Sequence, residues 1–412
     1  MSRLAPVAVL LALTAAASAA AGRQATPVVA PATIGLDPAA LAEATALLER
    51  LVAEGHIAGA VAAVARHGQV GYLQAVGLQD VASRTPMTER SLFRIYSMTK
   101  AVTAVAVMML HDEGRFRLDD PVATFLPEFA GVRVVDGPGA APRPPARAVT
   151  VEDLLLHTSG LSHRTSDLYR ALGVRSRADT LPEFVRKIAR APLMEDPHTR
   201  FRYSEGTTVL GRLVEIWSGQ PFDAFLSARI FRPLGMTDAV FWVDGPRRGR
   251  LASVYGPGPA GHLVPVDIEP VPFTERPALI EGAVGLVTSV PDFLRFQQML
   301  LAGGTVDGVR LLKADTAGRI VQNGLPPDVL QARGGRMGWG LGNVNVLMAP
   351  DGAGAHAGEY GWDGTAGTIF WNDPVTDTAI VLMTQSVPPN PGRLRQQFKA
   401  LIQRAVQASA VR

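Results

Sequence analysis

Ser97 and Lys100 lie three residues apart near the start of an almost wholly apolar segment that runs from Phe93 to Leu110. On a helix this spacing places both side chains on one face, about one turn apart. Burial lowers the pKa of a lysine, because desolvation disfavours the charged ammonium group. A lysine that has lost its proton beside a serine is a base that activates the hydroxyl as a nucleophile. The pair therefore predicts covalent catalysis by a serine.

The scarcity of lysine supports a special role for Lys100. Of the 40 lysines and arginines only four are lysines, at positions 100, 187, 313 and 399, and the other 36 are arginines. Arginine keeps its proton in a protein, whereas a desolvated lysine can lose it. The S-x-x-K pattern alone leaves a second interpretation open, in which Lys100 pairs with a carboxylate and Ser97 only caps the helix.

The surrounding pattern predicts the elements that position this pair. A helix is expected from Pro38 to Gly55, two strands within 59–77 joined by a turn at His67-Gly68, and a buried helix over 97–113. Further helices are expected at 150–157, 181–191, 208–218, 221–235, 290–304 and 393–408, and a hairpin at 365–374 and 377–385. This order predicts an α/β fold of the α+β type, in which residues 35–115 and 281–410 form a discontinuous sheet domain and residues 116–280 an inserted, mainly helical domain.

The N-terminus has the pattern of a secretory signal peptide. Residues 1–21 carry one arginine, an apolar stretch and small residues, and residues 22–34 are expected to form a linker. We therefore expect a periplasmic or secreted protein without stable membrane insertion after cleavage. The chain has no cysteine, which excludes disulfides and thiol catalysis, and no basic run that would predict nucleic-acid binding.

Longer segments around the serine carry a family resemblance. FRIYSMTKAVTA (93–104) resembles the active-site helix of serine β-lactamases and penicillin-binding proteins. Further segments look like the same superfamily in the same order: 118–129, 150–162, 201–219, 233–238, 285–296 and 358–374. The resemblance covers roughly residues 35–400 and is nearest to the class C β-lactamase-like esterases, the family VIII carboxylesterases. It implies an antiparallel sheet flanked by helices and an acyl-serine intermediate.

The resemblance also implies roles for residues outside the S-x-x-K pair. Tyr203 would be the third catalytic residue, and the backbone N–H groups of Ser97 and Thr365 would form the oxyanion hole. Substrate-binding positions would be Tyr96, Glu205, Trp362 and Gly364. The motif around Trp362 competes with a similar pattern at 356–361, but only the segment 362–367 leads straight into a strand-like run. His356 is then expected in a nearby loop, at the rim of the site.

Two departures from the family pattern bear on the substrate. Many β-lactamases carry a lysine or histidine where this chain has Trp362, and an asparagine where it has Glu205. An indole offers one donor and a large apolar face, and an ionised Glu205 would repel a substrate carboxylate. Asp363 adds a negative charge, although strand alternation should turn it away from the Trp362 face. These features favour a neutral, apolar acyl group and predict a hydrolase of short-chain esters.

Other functions remain as alternatives. A β-lactamase or a D-aminopeptidase or carboxypeptidase would need a cationic anchor, which Arg333 or Arg336 could supply. A non-catalytic binding module on the same fold ranks lower, since Ser97, Lys100 and Tyr203 are all present. His157 and His163 lack the spacing of a metal motif and are interpreted as structural, and Ser159 as part of a turn. No metal or cofactor is expected, and the sequence does not define the oligomeric state.

Overall fold

The computed structural model describes residues 27–407 apart from 138, 270, 271 and 353. The expected signal peptide and the first part of the expected linker lie outside these residues. Among the helices that are described, none is both long and apolar enough to cross a membrane.

One large antiparallel sheet organises the molecule. Its strands come from both ends of the chain and lie in the order β10-β11-β12-β13-β14-β1-β2-β3. The strands are β1 (Gly59–Arg66), β2 (Gln69–Asp80), β3 (Thr85–Pro86), β10 (Met337–Gly340), β11 (Val344–Leu347), β12 (Tyr360–Asp363), β13 (Ile369–Asp373) and β14 (Thr378–Met383). Three two-stranded ribbons accompany this sheet: β4 (Phe93–Arg94) with β7 (Val287–Thr288), β5 (Tyr255–Pro257) with β6 (Leu263–Pro265), and β8 (Thr305–Val306) with β9 (Val309–Arg310). The antiparallel order confirms the predicted fold class.

Helices cover both faces of the sheet, which explains why β1 is apolar at nearly every position. Ala60, Ala62 and Val64 face α1 (Pro38–Ala53) and α12 (Leu394–Gln407), whereas Val61 and Ala63 face the larger core. A strand buried on both faces shows a continuous apolar run instead of alternation. The pairing of β1 with β14 has Val61 opposite Met383.

The central helix α2 (Thr99–Asp112) lies inside the larger core. All of its residues from Thr99 to Leu110 are buried, as the apolar pattern predicted. It packs on α6 (Gly206–Ser218), so the start of α2 lies between the sheet and the helical part of the chain. The remaining helices are α3 (Val151–Leu156), α4 (Asp167–Ala171), α5 (Leu181–Arg190), α7 (Phe222–Leu226), α8 (Arg232–Leu234), α9 (Val290–Leu301), α10 (Ala314–Ile320) and α11 (Pro327–Ala332).

One predicted helix differs in detail. The segment 221–235 is not a uniform helix, because a π-helical turn, Ser227–Phe231, separates α7 from α8. Helix α8 then ends at Gly235, which adopts the left-handed conformation (φ 71°) that favours glycine.

Candidate active site

Ser97 lies in a 3₁₀ turn, Tyr96–Met98, that leads directly into α2. The preceding residue, Tyr96, has φ +42°, a strained conformation for a bulky residue and one that clusters at functional sites. Ser97 itself is 7% exposed, and the N-cap residue of α2 is Met98. The turn therefore presents the serine directly before the start of the helix.

Lys100 is fully buried one turn further along. Its Nζ donates a hydrogen bond of 3.0 Å to the carbonyl oxygen of Ala283 and lies 4.7 Å from the ring centroid of Tyr203. None of the ion pairs among the described residues includes Lys100. This placement does not match the alternative in which a carboxylate partner holds the lysine.

A glycine-containing segment, 281–286, supplies the carbonyl acceptor for Lys100. Thr103 Oγ1 donates to the Gly282 carbonyl at 2.7 Å, and the Leu286 amide donates to Thr99 Oγ1 at 3.1 Å. A Cβ atom on Gly282 would lie only 2.6 Å from the Thr207 carbonyl oxygen. Glycine is thus required for this segment to fit between α2 and α6 and hold Lys100 in place.

Tyr203 connects the lysine to the sheet. Its half-buried ring is the aromatic group beneath Lys100 Nζ, and its hydroxyl accepts a hydrogen bond of 3.0 Å from Trp362 Nε1 on β12. The rings of Tyr203 and Trp362 are 5.3 Å apart between centroids. The structure therefore brings together Lys100, Tyr203 and Trp362, three residues that are far apart in the sequence.

Aromatic rings surround Tyr203 on its other sides. His157 and His163 lie 4.7 and 5.6 Å from it between ring centroids, and Trp339 lies 6.0 Å away. Burial, with Lys100 adding to it, lowers the pKa of His157 well below its ordinary value, and burial lowers the pKa of His163 to about 4. Both imidazoles are therefore neutral near pH 7, so they add apolar contact and no positive charge beside the phenol.

Glu205 lies differently from the expectation. The resemblance implied that Glu205 binds substrate and, if ionised, repels a substrate carboxylate, but its side chain is fully buried and pairs with Arg164 at 3.3 Å. Burial alone would raise the pKa of Glu205, yet the charge of Arg164, with Lys100 and His163 in their protonated forms, holds it at about 2. The carboxylate is ionised but compensated inside the protein, so it does not present a negative charge to the cleft.

Tyr96 was also expected to contact substrate. Its side chain is 1% exposed and packs edge-on against Phe273, 5.9 Å away between centroids. Burial raises its pKa to about 12. The structure therefore places the Tyr96 side chain in a separate apolar cluster with Phe273, and only its strained backbone borders Ser97.

The turn after β12 approaches the nucleophile segment closely. A Cβ on Gly364 would lie 2.3 Å from Thr368 Oγ1 and 2.5 Å from the carbonyl oxygen of Ile95, so only glycine fits. Thr365 follows at an exposed position of this turn. Asp363 turns to the opposite face and pairs with Arg395 on α12, which agrees with the expected strand alternation.

Other expectations fall outside the site. His356 is not at the rim, because its Nδ1 bonds Asp373 at 2.7 Å on the face of the sheet that packs against α12. Strand alternation places Asp373 on the same face as Trp371, which explains this location. Ser159 is buried, and its hydroxyl accepts from the Leu161 amide, as suits a turn residue.

Sequence reasoning missed two contributors to the site. The Ala283 carbonyl oxygen, which accepts a hydrogen bond from Lys100, is a backbone group 183 positions away. Because every residue has such a carbonyl, the residue type does not indicate this contact. Trp339 is buried at the centre of the aromatic cluster, 4.7 Å from Trp362, and its indole donates to the Leu155 carbonyl at 3.2 Å. Its setting Gly338-Trp339-Gly340, a large aromatic between glycines, was the available signal.

The fold and these residues define the class of the protein: a serine hydrolase in which an S-x-x-K helix lies buried against an antiparallel sheet. The chain belongs to the Beta-lactamase family, whose sequence profile matches residues 44–404.

Relatives and solved structures support this assignment across the chain. Esterase EstB of Burkholderia gladioli is 34% identical over 381 residues, covering 86% of this chain and 93% of EstB. Protein Rv1367c of Mycobacterium tuberculosis (strain H37Rv) is 33% identical over 357 residues, covering 81% and 87%. The structure of EstCE1, described as a hydrolase with promiscuous acyltransferase activity, has a TM-score of 0.76 and 26% identity over 89% of this chain and 98% of EstCE1.

Proposed function

We propose that this protein hydrolyses short-chain carboxylic esters through an acyl-serine intermediate on Ser97. The observation that carries the proposal is the position of Tyr203 between two polar groups. Its ring contacts the buried Lys100 amine and its hydroxyl accepts from Trp362. A phenol held in this way beside an amine is suited to relay the proton of a nearby serine.

The chemistry follows in two steps. Lys100 and Tyr203 take the proton from Ser97 Oγ, which attacks the ester carbonyl carbon. The backbone N–H groups of Ser97 and Thr365 stabilise the oxyanion, and collapse expels the alcohol, to which Tyr203 returns the proton. A water molecule, activated by the same pair, then attacks the acyl-serine and releases the acid and the free serine.

The apolar lining supports an ester over a β-lactam. Trp362 presents an indole where a cation would bind a lactam carboxylate, and the half-buried ring of Tyr203 extends the apolar surface. The name of EstB, an esterase, points in the same direction. We further propose that the mature protein is periplasmic or secreted, on the pattern of residues 1–21.

The test compares p-nitrophenyl esters from acetate to octanoate with nitrocefin, with Ser97→Ala as the matched control. We expect ester turnover to exceed nitrocefin turnover and both to vanish in Ser97→Ala without loss of the fold. Nitrocefin turnover far above ester turnover would instead favour a β-lactamase. Absence of fluorophosphonate labelling at Ser97 would favour a non-catalytic binding module.

A further inference from the structure

Arg333 is a cation at the edge of the aromatic cluster that the proposed reaction does not use. It follows α11 and precedes a Gly334-Gly335 turn into β10. Its guanidinium carbon lies 4.0 Å from the ring centroid of Phe201 and 5.5 Å from that of Trp339. Because Trp339 also contacts Tyr203 and Trp362, Arg333 lies one ring away from the catalytic phenol.

Arg333 has no carboxylate partner. None of the ion pairs formed by the described residues includes it, and desolvation by burial is the sole cause that lowers its pKa. A partly buried guanidinium without an anion is unfavourable, because burial of a charge is costly unless the charge is paired. Glu205, the acid beside His163 of the Tyr203 cluster, is already paired with Arg164.

The guanidinium keeps donors available in a fixed plane. Nη1 donates to the Gly338 carbonyl at 3.3 Å, and Nη2 donates to Asn345 Oδ1 at 2.6 Å. A guanidinium has five N–H donors, so three remain. The guanidinium carbon lies over the Phe201 ring, and a carboxylate matches the fork geometry of the remaining donors.

We propose that Arg333 is the anion-binding residue of the acyl subsite, and that the preferred substrates are esters whose acyl chain ends in a carboxylate. This inference rests on the proposed ester hydrolysis. It replaces the neutral acyl group expected from the sequence, because Glu205, the charge expected to repel a substrate carboxylate, is buried and paired with Arg164. The apolar part of the acyl chain lies along the partly exposed rings of Trp362 and Phe201, and the terminal carboxylate pairs with Arg333. Arg336 does not share this role, because it is exposed and its Nη2 donates to the Asp351 carbonyl at 3.4 Å.

The test compares two p-nitrophenyl esters that differ in one charge: mono-p-nitrophenyl pimelate and the same compound with its free carboxylate capped as a methyl ester. The wild-type enzyme should show a kcat/KM about tenfold or more higher for the anionic ester. In Arg333→Met this preference should fall about tenfold or more, mainly through the KM of the anionic ester. The matched control Arg336→Met should leave the preference unchanged, and Arg333→Lys should restore part of it.

Three outcomes would overturn the inference. These are the absence of a wild-type preference for the anionic ester, an unchanged preference in Arg333→Met, or an equal loss for both esters in that variant, which indicates a purely structural role. The comparison of the two esters with the wild-type enzyme needs no variant, so the inference can be contradicted even if Arg333→Met does not fold. Failure of the proposed function is distinguishable, because the wild-type enzyme would then turn over neither of these esters nor p-nitrophenyl butyrate.

Discussion

Trp362 Nε1 donates a hydrogen bond of 3.0 Å to the hydroxyl oxygen of Tyr203, and this contact joins strand β12 of the sheet to the loop before α6. Since Lys100 approaches the same ring from α2, three separate elements meet at one phenol. The phenol is thereby fixed in orientation, with a donor on its oxygen and an amine near its ring. Such fixation is what a proton relay requires.

Removal of the indole donor should slow catalysis. Trp362→Phe keeps an aromatic ring but leaves the Tyr203 oxygen without its donor, and we expect kcat for p-nitrophenyl butyrate to fall about tenfold or more. Steady-state kinetics measure this effect. The matched control is Trp371→Phe, which changes a tryptophan that packs near Phe398 on the opposite face of the sheet. Equal effects of the two substitutions would contradict the role given to the Trp362 hydrogen bond.

The ion pair between Glu205 and Arg164 should stabilise the fold. Glu205→Gln leaves the nearly buried Arg164 uncompensated, and we expect a loss of about 3 kcal/mol in the free energy of unfolding. Guanidinium denaturation measures it, and the double variant Glu205→Gln/Arg164→Met should recover part of the loss. Asp119→Asn, in an exposed pair with Arg117, should leave stability unchanged. An unaltered stability of Glu205→Gln would instead support a free carboxylate facing substrate.

The close approach at Gly364 should matter for activity. In Gly364→Ala the new methyl group would meet the Ile95 carbonyl oxygen at 2.5 Å, so the turn carrying Thr365 must move away from the Ser97 segment. We expect kcat/KM to fall about a hundredfold, since the Thr365 amide is the proposed oxyanion donor and small displacements of such a donor are costly. Gly131→Ala is the control, because a Cβ there has no heavy atom within 4 Å. Full activity of Gly364→Ala would show that the turn does not position the reacting groups.

Asp292 should make stability depend on pH. Burial raises the pKa of Asp292 to about 7, and repulsion from the Asp238 carboxylate adds to this rise. The hydrogen bond that Asp292 accepts from the Asp238 amide and the charges of Arg90 and Arg250 act in the opposite direction. The folded protein then holds a proton that the unfolded chain has lost, so stability falls as pH rises from about 4 to about 7. Asp292→Asn removes this dependence on pH. Its free energy of unfolding should exceed that of the wild type by on the order of 2 to 4 kcal/mol at pH 8, but not at pH 4.

Thermal or denaturant unfolding at pH 4, 6 and 8 tests the role of Asp292. Asp315→Asn, at an exposed position of α10, should follow the wild type at each pH. A stability difference between Asp292→Asn and the wild type that stays constant from pH 4 to pH 8 would contradict the assignment.

The local sequence pattern was enough to predict much of the fold and part of the candidate site. The apolar run of α2 and the continuous apolar run of β1 both reflect burial on all sides, which residue type alone reveals. The spacing of Ser97 and Lys100 is likewise a local feature. The resemblance to known esterases added Tyr203 and Trp362, which no local pattern would connect.

Long-range polar contacts could not be predicted in the same way. The partner of Glu205 is Arg164, 41 positions earlier, and the sequence offers no reason to choose it among 36 arginines. The expected contact of the Tyr96 side chain with substrate was wrong for a related reason, since the direction of this side chain depends on the positive φ of its own backbone. Both errors concern groups whose environment is set by tertiary packing.

The central claim is that Ser97 becomes acylated, with Lys100 and Tyr203 as the proton relay. Rapid-quench intact-mass measurement with p-nitrophenyl butyrate, followed by peptide mapping, tests it most directly. We predict a mass increase of one butyryl group on the peptide that contains Ser97, absent in Ser97→Ala and strongly reduced in Lys100→Met. Ester turnover without any acylated species, or an acyl group on another residue such as Ser159, would contradict the account.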